Sequence, residues 1–306
     1  MENNVNSIFE EPWWLDIVSP NNWKEILIEE DNHLVARLPY SIKRNKVAMP
    51  QFTPTCGIWF KDEDGANIQE KNENIKRITE KIIIELNNYR SVQLRLDPSM
   101  QYFLPFYWKG FSIIPKITYR INNLNDLQSI YQNFSKNIRR DIKSAEKKVE
   151  IKYDTSPDIM IKLLKKTFRE QGRKLPCSED LIVRIMEESG KRNKGKLITA
   201  VDANGNTHAG AYLVYDKRVC YYLFAGKDPD FKKSNAQTLV MWKCIEFASN
   251  VSSIFDFEGS MIEGIEQFFK RFGGEPTVYF EVRKLTIIEE IRELIKPFIK
   301  KIIGYK

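Results

Sequence analysis

The sequence predicts an α/β (α+β) fold in which mixed sheets flanked by helices occur twice along the chain. Three observations predict it: an internal repeat, short apolar strands that alternate with amphipathic helices, and two hairpins with polar turns. The length of 306 residues suits two domains. With 42% hydrophobic and 29% charged residues, the composition excludes disorder as the main character of the chain.

The internal repeat relates residues 85–120 to residues 246–281 through a shift of 161 positions without gaps. Seven of the aligned pairs are identical. Self-similarity at a fixed period is typical of a duplicated structural unit. We therefore expect two similar domains with one cleft between them, and we expect Leu94 and Phe255 at equivalent positions of their central strands.

Both copies have the same predicted order of hairpin, strand, helix, strand, helix and strand. The hairpins turn at Asp31-Asn32 in the first copy and at residues 203–206 in the second, because both segments combine polar turn formers between apolar runs. The matching helices are IKRITEKIIIELNN and AQTLVMWKCIEFASN, and the matching buried strands are VQLRL and SIFDF. The predicted boundaries are a first domain at 1–124, a second at 125–285 and a C-terminal helix at 286–306.

Two basic helices open the second domain. The first is predicted as one helix from Asp126 to Lys148, and the second begins at Ser156-Pro157 and stops at Gly172. Between Lys136 and Lys148 there are six basic and two acidic residues. Such a run suits a phosphate-bearing partner, and a solvated helix face explains it equally well.

The C-terminal segment is predicted to be an amphipathic helix. A capping box begins at Thr286, and apolar residues then follow at helical spacing. Pro297 is expected to kink this helix near Glu293. The apolar face either docks onto the first domain or makes peripheral contact with a membrane through the lysines of 286–306. Docking is favoured, because three acidic residues beside the apolar stripe would be repelled by anionic lipid: Glu289, Glu290 and Glu293.

Metal, redox and membrane-spanning functions have little support in the sequence. The four cysteines lie far apart, and no CxxC spacing or metal site is predicted. His33 and His208 both sit beside turn-forming residues, which favours surface positions. No apolar run reaches the length of a membrane span, and the N-terminus is acidic, so a cytoplasmic protein without a permanently bound cofactor is expected.

Several segments carry a resemblance to a known family. They are EPWWLDIV, SKNIRRDIKSAEK, LFAGKDPDFKKSNAQTLVMWKCIEFA and FDFEGSMIEGIEQFFKRFGGEP. From Glu11 to Lys284 the chain resembles the Fem-related (FemAB-like) tandem-domain branch of the GNAT N-acyltransferases. The resemblance implies transfer of an acyl or aminoacyl group, by direct attack in the interdomain cleft, to an amine of an amino sugar, a cell-envelope precursor or an amino acid. It also implies acyl-CoA or aminoacyl-tRNA as donor and an acceptor that can be nucleotide-linked.

The donor loop departs from the family pattern. Where GNAT enzymes usually carry R/QxxGxG/A before a helix, Phe231 to Gln237 contains no glycine. Ser234 and Gln237 fit a capping box there, as Ser260 and Glu263 do further on, so neither serine is expected to be a nucleophile. The residues predicted to hold the donor or its phosphates are Lys227, Lys232, Lys233 and Asn235, with Arg139, Arg140 and Lys143 on the basic helix.

Catalytic and acceptor-side candidates follow from position and resemblance. Glu258 and Asp97 occupy the same place in the two copies, directly after a buried strand, where α/β sheets present their ligands. Glu258 is a candidate to accept the amine proton, and Tyr222 is a candidate to donate to the leaving group. Asp97, with Arg37 and Tyr40 by resemblance, is a candidate for acceptor binding. Ion pairs, strand packing and an exposed hairpin are the competing interpretations.

Two other classes of function stay open. The missing glycines are compatible with a non-catalytic, duplicated GNAT-fold binding module that has lost its donor site. The basic helices are compatible with a tRNA or other nucleic-acid binder.

Overall fold

The computed structural model describes residues 4–62, 65–154, 156–259, 261 and 263–302. For residues 296–302 it describes the backbone only. The chain divides into two compact units, Met1–Lys116 with Tyr279–Lys306, and Ile117–Val278. The units differ from the predicted segments at both ends of the second domain. The chain passes from one unit to the other within two strands, because each of these strands begins in one unit and ends in the other.

Among its described residues, the first unit contains two hairpin strands, three further whole strands, parts of two more strands and four α-helices. Their bounds are α1 Pro12–Val18, β1 Trp23–Glu30, β2 His33–Ile42, β3 Lys46–Ala48, β4 Trp59–Phe60, α2 Ile68–Leu86, β5 Ser91–Arg95, α3 Leu104–Trp108, the start of β6 Ser112–Ile121, the end of β12 Glu275–Lys284, and α10 Ile287–Ile302. A short 3-10 helix, Ile8–Glu10, precedes α1. The sheet order is β1-β2-β3-β5-β12, with β4 on β2.

The second unit contains the remaining elements. They are α4 Leu127–Asn133, α5 Lys136–Ala145, β7 Glu150–Tyr153, α6 Pro157–Glu170, α7 Glu179–Lys191, β8 Gly195–Val201, β9 Thr207–Tyr215, β10 Val219–Lys227, α8 Ala236–Ala248, β11 Ile254–Asp256 and α9 Glu263–Lys270. A 3-10 helix, Pro229–Ser234, connects β10 to α8. The sheet order is β6-β11-β10-β9-β8-β7. Since β10 and β11 run parallel and β9 and β10 antiparallel, the sheet is mixed, as predicted.

Hairpin chemistry explains the entry into each unit. In the first hairpin, Asp31 and Asn32 both take the left-handed conformation, with φ of 50° and 60°. This is the geometry of a two-residue turn whose twist matches that of the strands. In the second hairpin, Asp202 accepts hydrogen bonds from the backbone amides of Asn204 and Asn206 and so closes the loop. Both predicted hairpins are confirmed.

The final strand of each copy pairs with the central strand of the other copy. Leu94 of β5 lies opposite Val282 of β12, and Phe255 of β11 lies opposite Ile121 of β6. The shift of 161 positions converts the first pair into the second. All four side chains are buried. Leu94 and Phe255 are therefore equivalent central positions, as the repeat predicts.

The next rung of both ladders is an ion pair whose charges are inverted between the copies. Arg95 Nε lies 3.1 Å from Glu281 Oε2, and Arg120 Nε lies 2.7 Å from Asp256 Oδ2. Glu281 has a second cation, Arg283, at 3.5 Å. Asp256 also accepts a hydrogen bond from the Thr118 hydroxyl. Both ladders thus have an ion pair at the same position. The acid lies on the final strand β12 in one ladder and on the central strand β11 in the other.

Three predictions about secondary structure and burial are wrong. The segment 126–148 forms two helices, because Phe134 is extended and Ser135 caps α5 by accepting from the Ile138 amide. His208 lies in β9 and is buried, while His33 is exposed as predicted. The described apolar side chains of α10 do not dock: all five are exposed. Within the described ranges, none of the helices is long and apolar enough to cross a membrane.

A buried carboxyl group holds the N-terminal segment in the first unit. Glu10 accepts hydrogen bonds from the backbone amides of Asn6 at 2.6 Å and Gly57 at 2.9 Å. Its backbone carbonyl accepts from Arg37 Nη1 at 3.0 Å. Burial, followed by the charge of Asp97, raises the pKa of Glu10 to about 7.

We predict that the inverted ion pairs differ in their contribution to stability. Arg120→Ala leaves Asp256 buried without its cation, which typically costs about 3–5 kcal/mol. Arg95→Ala should cost markedly less, because Glu281 keeps Arg283. Urea unfolding of the two variants measures the difference, and equal losses would contradict this account.

We also predict a pH dependence of stability from Glu10. Because its pKa is higher in the folded chain than the ordinary value of 4.5, the folded state binds more protons, and its free energy of unfolding falls as the pH rises from 4.5 to about 7. The slope is on the order of 1 kcal/mol per pH unit. Glu10→Gln should remove this component, which unfolding midpoints at pH 5.5 and 7.5 for both proteins will test.

Candidate functional site

A cavity of about 430 Å³ lies in the second unit where β10 ends and α8 begins. It is formed by the end of β10, the loop after it, the first turn of α8 and α9, together with Thr167 of α6 and His208 of β9. The lining residues are Thr167, His208, Ala225, Gly226, Lys227, Asp228, Phe231, Lys232, Ser234, Asn235, Ala236, Gln237, Thr238, Gly264, Ile265 and Phe268. Apolar and polar groups therefore meet at one cavity, as is usual for small-molecule sites.

One edge of β10 is open at this cavity. β10 pairs with its parallel neighbour β11 only at Val219, Cys220 and Tyr221. Over residues 222–227 the described part of the chain contains no strand partner on that side. A bulge between Tyr222 and Phe224 also shifts the register against β9. The strand therefore leaves its neighbour and presents backbone groups to the opening.

The N-terminus of α8 points its amides at the same cavity. Asn235, the N-cap, has a left-handed φ of 61° and makes no side-chain cap. Ser234 Oγ accepts from the Ala236 backbone amide at 3.2 Å. An uncapped helix start with its positive dipole end favours an anion. Asn235 thus adopts a left-handed conformation that glycine takes most readily.

The predicted capping box at this helix is wrong. The Gln237 side chain does not return to the helix start but donates to the hydroxyl of Tyr222. Tyr222 is buried, and burial raises the pKa of its hydroxyl. Tyr222 therefore lies one hydrogen bond behind the cavity wall and stays protonated. Ser260 lies outside the described residues.

Two lysines bring positive charge to the cavity. Lys227 is exposed, and its backbone amide donates to Thr167 Oγ1 at 2.8 Å. Lys232 forms an ion pair with Glu170. The hydrogen bond that Lys232 donates within this pair lowers the pKa of the Glu170 carboxyl. Lys233, in contrast, does not line the cavity, and its carbonyl accepts from Lys148 at 2.8 Å.

Close packing of α6 on β10 depends on Gly226. A Cβ at this position would lie 2.7 Å from the Leu163 carbonyl carbon and 2.8 Å from the Leu164 nitrogen. These are backbone atoms, so a side chain could be accommodated only by moving the helix. Gly226 thereby fixes α6, which carries Thr167 and Glu170, against the end of β10.

His208 is a site residue that the sequence interpretation missed. It is 6% exposed, lines the cavity, and stacks on Phe231 with ring centroids 3.9 Å apart. Its Nε2 lies 3.1 Å from Asp202 Oδ2. Hydrogen bonds from Asn206, followed by a smaller contribution from His208, lower the pKa of Asp202 to about 2. The sequence shows that Asp202 lies six positions before His208, but it does not show that His208 stacks on Phe231.

Glu258 follows the end of β11. It takes a left-handed φ of 53°, and its amide donates to Asp256 Oδ1 at 2.8 Å. A non-glycine residue in this conformation is uncommon and marks a constrained turn. Glu258 does not line the cavity described above. Glu258 follows β11, and the parallel neighbour of that strand, β10, contributes residues to the cavity.

The predicted cations of α5 belong to another surface. Arg139, Arg140 and Lys143 line a separate groove of about 580 Å³ with Tyr131, Lys136, Ser144 and Lys147. Arg140 has Asp141 at 3.3 Å. The predicted phosphate-binding residues thus fall into two groups, one at α8 and one along α5.

The acceptor-side candidates lie inside the first unit. Arg37 Nε donates to Glu25 at 2.7 Å, and the Tyr40 hydroxyl lies 2.9 Å from that of Tyr89. Asp97 Oδ1 accepts from the Ser99 amide and hydroxyl at 2.9 and 2.6 Å. All three candidates are buried. The competing interpretation of Arg37 and Tyr40, an exposed hairpin, is therefore wrong.

The comparison with known families defines the class of protein. Residues 132–270 match the model of the acetyltransferase (GNAT) domain. This segment contains α5, the cavity and α9. The match shows a GNAT acyltransferase domain in this part of the chain, in agreement with the predicted acyltransferase. None of the curated proteins matches the chain in sequence.

Solved structures place the fold among tandem GNAT proteins of the Fem type. FemX is 12% identical with a TM-score of 0.68, covering 96% of both chains. The C-terminal domain of a candidate lysylphosphatidylglycerol synthetase from Agrobacterium fabrum is 9% identical with a TM-score of 0.55, covering 93% of this chain and 94% of that one. A tandem GNAT protein from clavulanic acid biosynthesis is 10% identical with a TM-score of 0.50, covering 85% and 82%. The predicted Fem-like fold is confirmed.

Proposed function

We propose that the second unit binds a phosphate-bearing acyl donor, with acyl-CoA as the first candidate, and transfers its acyl group directly to an amine. The observation that carries this proposal is the cavity where the open edge of β10 meets the uncapped start of α8. A donor of this class combines an extended amide-containing arm with an anionic head. The two features of the cavity are complementary to those two parts.

The arm is assigned to the open edge of β10. An extended chain of amides can pair with an unpaired strand edge as an additional strand does. Residues 222–227 supply that edge, and Ile265 and Phe268 supply apolar walls. The bulge beside Tyr222 redirects the backbone at the inner end of this edge, where a carbonyl oxygen of the donor would meet backbone donors.

The anionic head is assigned to the start of α8. Negative charge is favoured there by the helix dipole, by the backbone amide of Gln237, and by Lys227 and Lys232. Lys232 would exchange Glu170 for a phosphate oxygen. Asn235 contributes the left-handed turn, and Lys233 is assigned no contact.

The transfer requires a neutral amine and no covalent enzyme intermediate. The amine nitrogen attacks the donor carbonyl, the bond from carbon to sulfur breaks, and the thiolate takes up a proton. Glu258 is assigned to remove the ammonium proton, directly or through water. Tyr222, protonated and linked to Gln237, is assigned to supply the proton of the leaving group.

The acceptor is proposed to be an amine of an amino sugar, a cell-envelope precursor or an amino acid. The fold neighbours FemX and the candidate lysylphosphatidylglycerol synthetase support the cell-envelope option by their names alone. Arg37, Tyr40 and Asp97 remain acceptor-side candidates. Because they are buried, we assign them to shaping a binding surface rather than to first contact with the acceptor.

A second candidate function is donation from aminoacyl-tRNA, or nucleic-acid binding without transfer. The observation that favours it is the groove along α5. Four cations of the helix line this groove, Lys136, Arg139, Arg140 and Lys143, and Lys147 follows two residues after the helix ends. Like charges spaced by three or four residues weaken a helix by roughly 0.2–0.5 kcal/mol per pair. Such a groove suits a phosphodiester backbone, whose binding would weaken steeply with salt.

We predict that donor binding depends on Lys232 and Lys227 but not on Lys233. Loss of one charged hydrogen bond to phosphate, worth about 1.5–3 kcal/mol, should weaken binding of coenzyme A roughly tenfold to a hundredfold in Lys232→Ala and Lys227→Ala. Calorimetry with coenzyme A measures it. Lys233→Ala is the matched control, because its neighbour lines the cavity and it does not.

Equal effects of Lys232→Ala and Lys233→Ala would contradict the assigned head-group site. If coenzyme A does not bind and a tRNA does, with affinity lost in Arg139→Ala and Lys143→Ala, the α5 groove becomes the donor site. If a donor binds but no amine is acylated, the binding-module interpretation replaces the enzyme.

Glu258→Gln is predicted to lower turnover by about 10²–10⁴-fold, the usual contribution of a positioned base, with the melting temperature nearly unchanged. Steady-state kinetics measures the change, and Glu263→Gln, on the neighbouring helix, serves as control. Intact-mass spectrometry during single turnover should detect no acyl-enzyme. An acyl-cysteine or acyl-serine would overturn direct transfer.

A further inference from the structure

The helix α10 exposes a continuous apolar face. Five large side chains form it, and their exposed fractions are 75% for Ile287, 57% for Ile288, 48% for Ile291, 71% for Leu294 and 45% for Ile295. At about 3.6 residues per turn these positions share one side of the helix. Single exposed apolar residues are common on protein surfaces, but a contiguous helix face usually marks an interaction site.

The opposite side of α10 attaches it to the first unit. Glu289 forms an ion pair with Lys46 and accepts hydrogen bonds from the amide and hydroxyl of Thr286 at 3.0 and 2.9 Å. One turn further on, Glu293 lies 3.9 Å from Arg283. The helix is thus held by its acidic side, and its apolar side faces away from these contacts.

This arrangement removes the electrostatic objection to a lipid surface. The hydrogen bond from Lys46 lowers the pKa of Glu289 to about 2, so the Glu289 carboxyl group stays ionised and paired with Lys46. Only Glu290 and Arg292 flank the apolar face among the described residues, and their charges cancel. From position 296 to the end, the sequence adds four lysines and no acid.

We propose that α10 is a membrane-surface helix that docks the protein onto anionic lipid. An interfacial helix of this kind inserts its apolar side at the boundary of headgroups and acyl chains, and its lysines contact anionic headgroups. The proposal concerns the first unit and is independent of the donor site in the second.

A second copy of the chain fits the observations less well. A stable protein interface usually needs about 20–30 residues a side, and the exposed apolar face supplies five. Its width also exceeds the narrow seam of a coiled coil. Two copies joined through α10 would in addition bring their lysine-rich ends together in a parallel pair.

The experiment is sedimentation of the full-length protein with vesicles of phosphatidylcholine containing 30% phosphatidylglycerol. The variant Ile291→Ser/Leu294→Ser should lose binding at least tenfold. The matched control Ile68→Ser/Ile84→Ser, which changes two exposed isoleucines of α2, should bind as the wild type does. Because all four positions are exposed, thermal unfolding should be unchanged in both variants. Binding of the wild type should weaken on vesicles of phosphatidylcholine alone.

Three outcomes would overturn the proposal. The wild type fails to bind the anionic vesicles, or Ile291→Ser/Leu294→Ser binds as well as the wild type. Alternatively, light scattering shows a dimer that this variant dissociates while vesicle binding is absent, and then α10 is an interface between copies. Coenzyme A binding is measured in parallel, because it tests the donor site and does not depend on α10.

Discussion

The exchange of final strands is the constraint on which the rest of the structure depends. β12, at the end of the second copy, completes the sheet beside β5, and β6, at the end of the first copy, completes the sheet beside β11. The equivalent amides make equivalent bonds, Leu96 to Phe280 and Phe257 to Tyr119, both at 2.8–3.0 Å. Neither copy supplies a whole sheet by itself, so neither is expected to fold alone. The inverted ion pairs add one salt bridge at the same rung of each ladder.

The same exchange determines where β10 opens. β11 has only three residues, and β6 occupies its other edge. β10 has nine residues and therefore continues beyond its neighbour. Its free edge leads directly into the loop before α8, where Asn235 turns the chain and makes no side-chain cap on the helix. A short strand next to a long one thus creates both parts of the candidate donor site.

The sequence predicted the elements better than their partners. The repeat, the hairpin turns and the Ser156 cap depend on local chemistry, which a single sequence contains. The strand exchange and the stacking of His208 on Phe231 depend on long-range packing, which local patterns do not encode. Of the site, Lys227, Lys232 and Asn235 were found because a loop before a helix is a recognisable anion site. The burial of Arg37 and Tyr40 could not be predicted, because it depends on partners distant in sequence, such as Glu10 and Tyr89.

The two copies are not equally equipped for chemistry, and this asymmetry argues for one donor site per chain. The helix α2 corresponds to α8, but Asn67 closes its start with a full capping box, in which Asn67 Oδ1 accepts from the Glu70 amide and Glu70 accepts from the Asn67 amide, both at 2.9 Å. The parallel neighbour of β5 is β3, whose three residues provide no extension comparable to residues 222–227. The first copy therefore has neither an open helix start nor a long free edge among its described residues. The GNAT match also lies within the second copy, in agreement with a single proposed donor site in that copy.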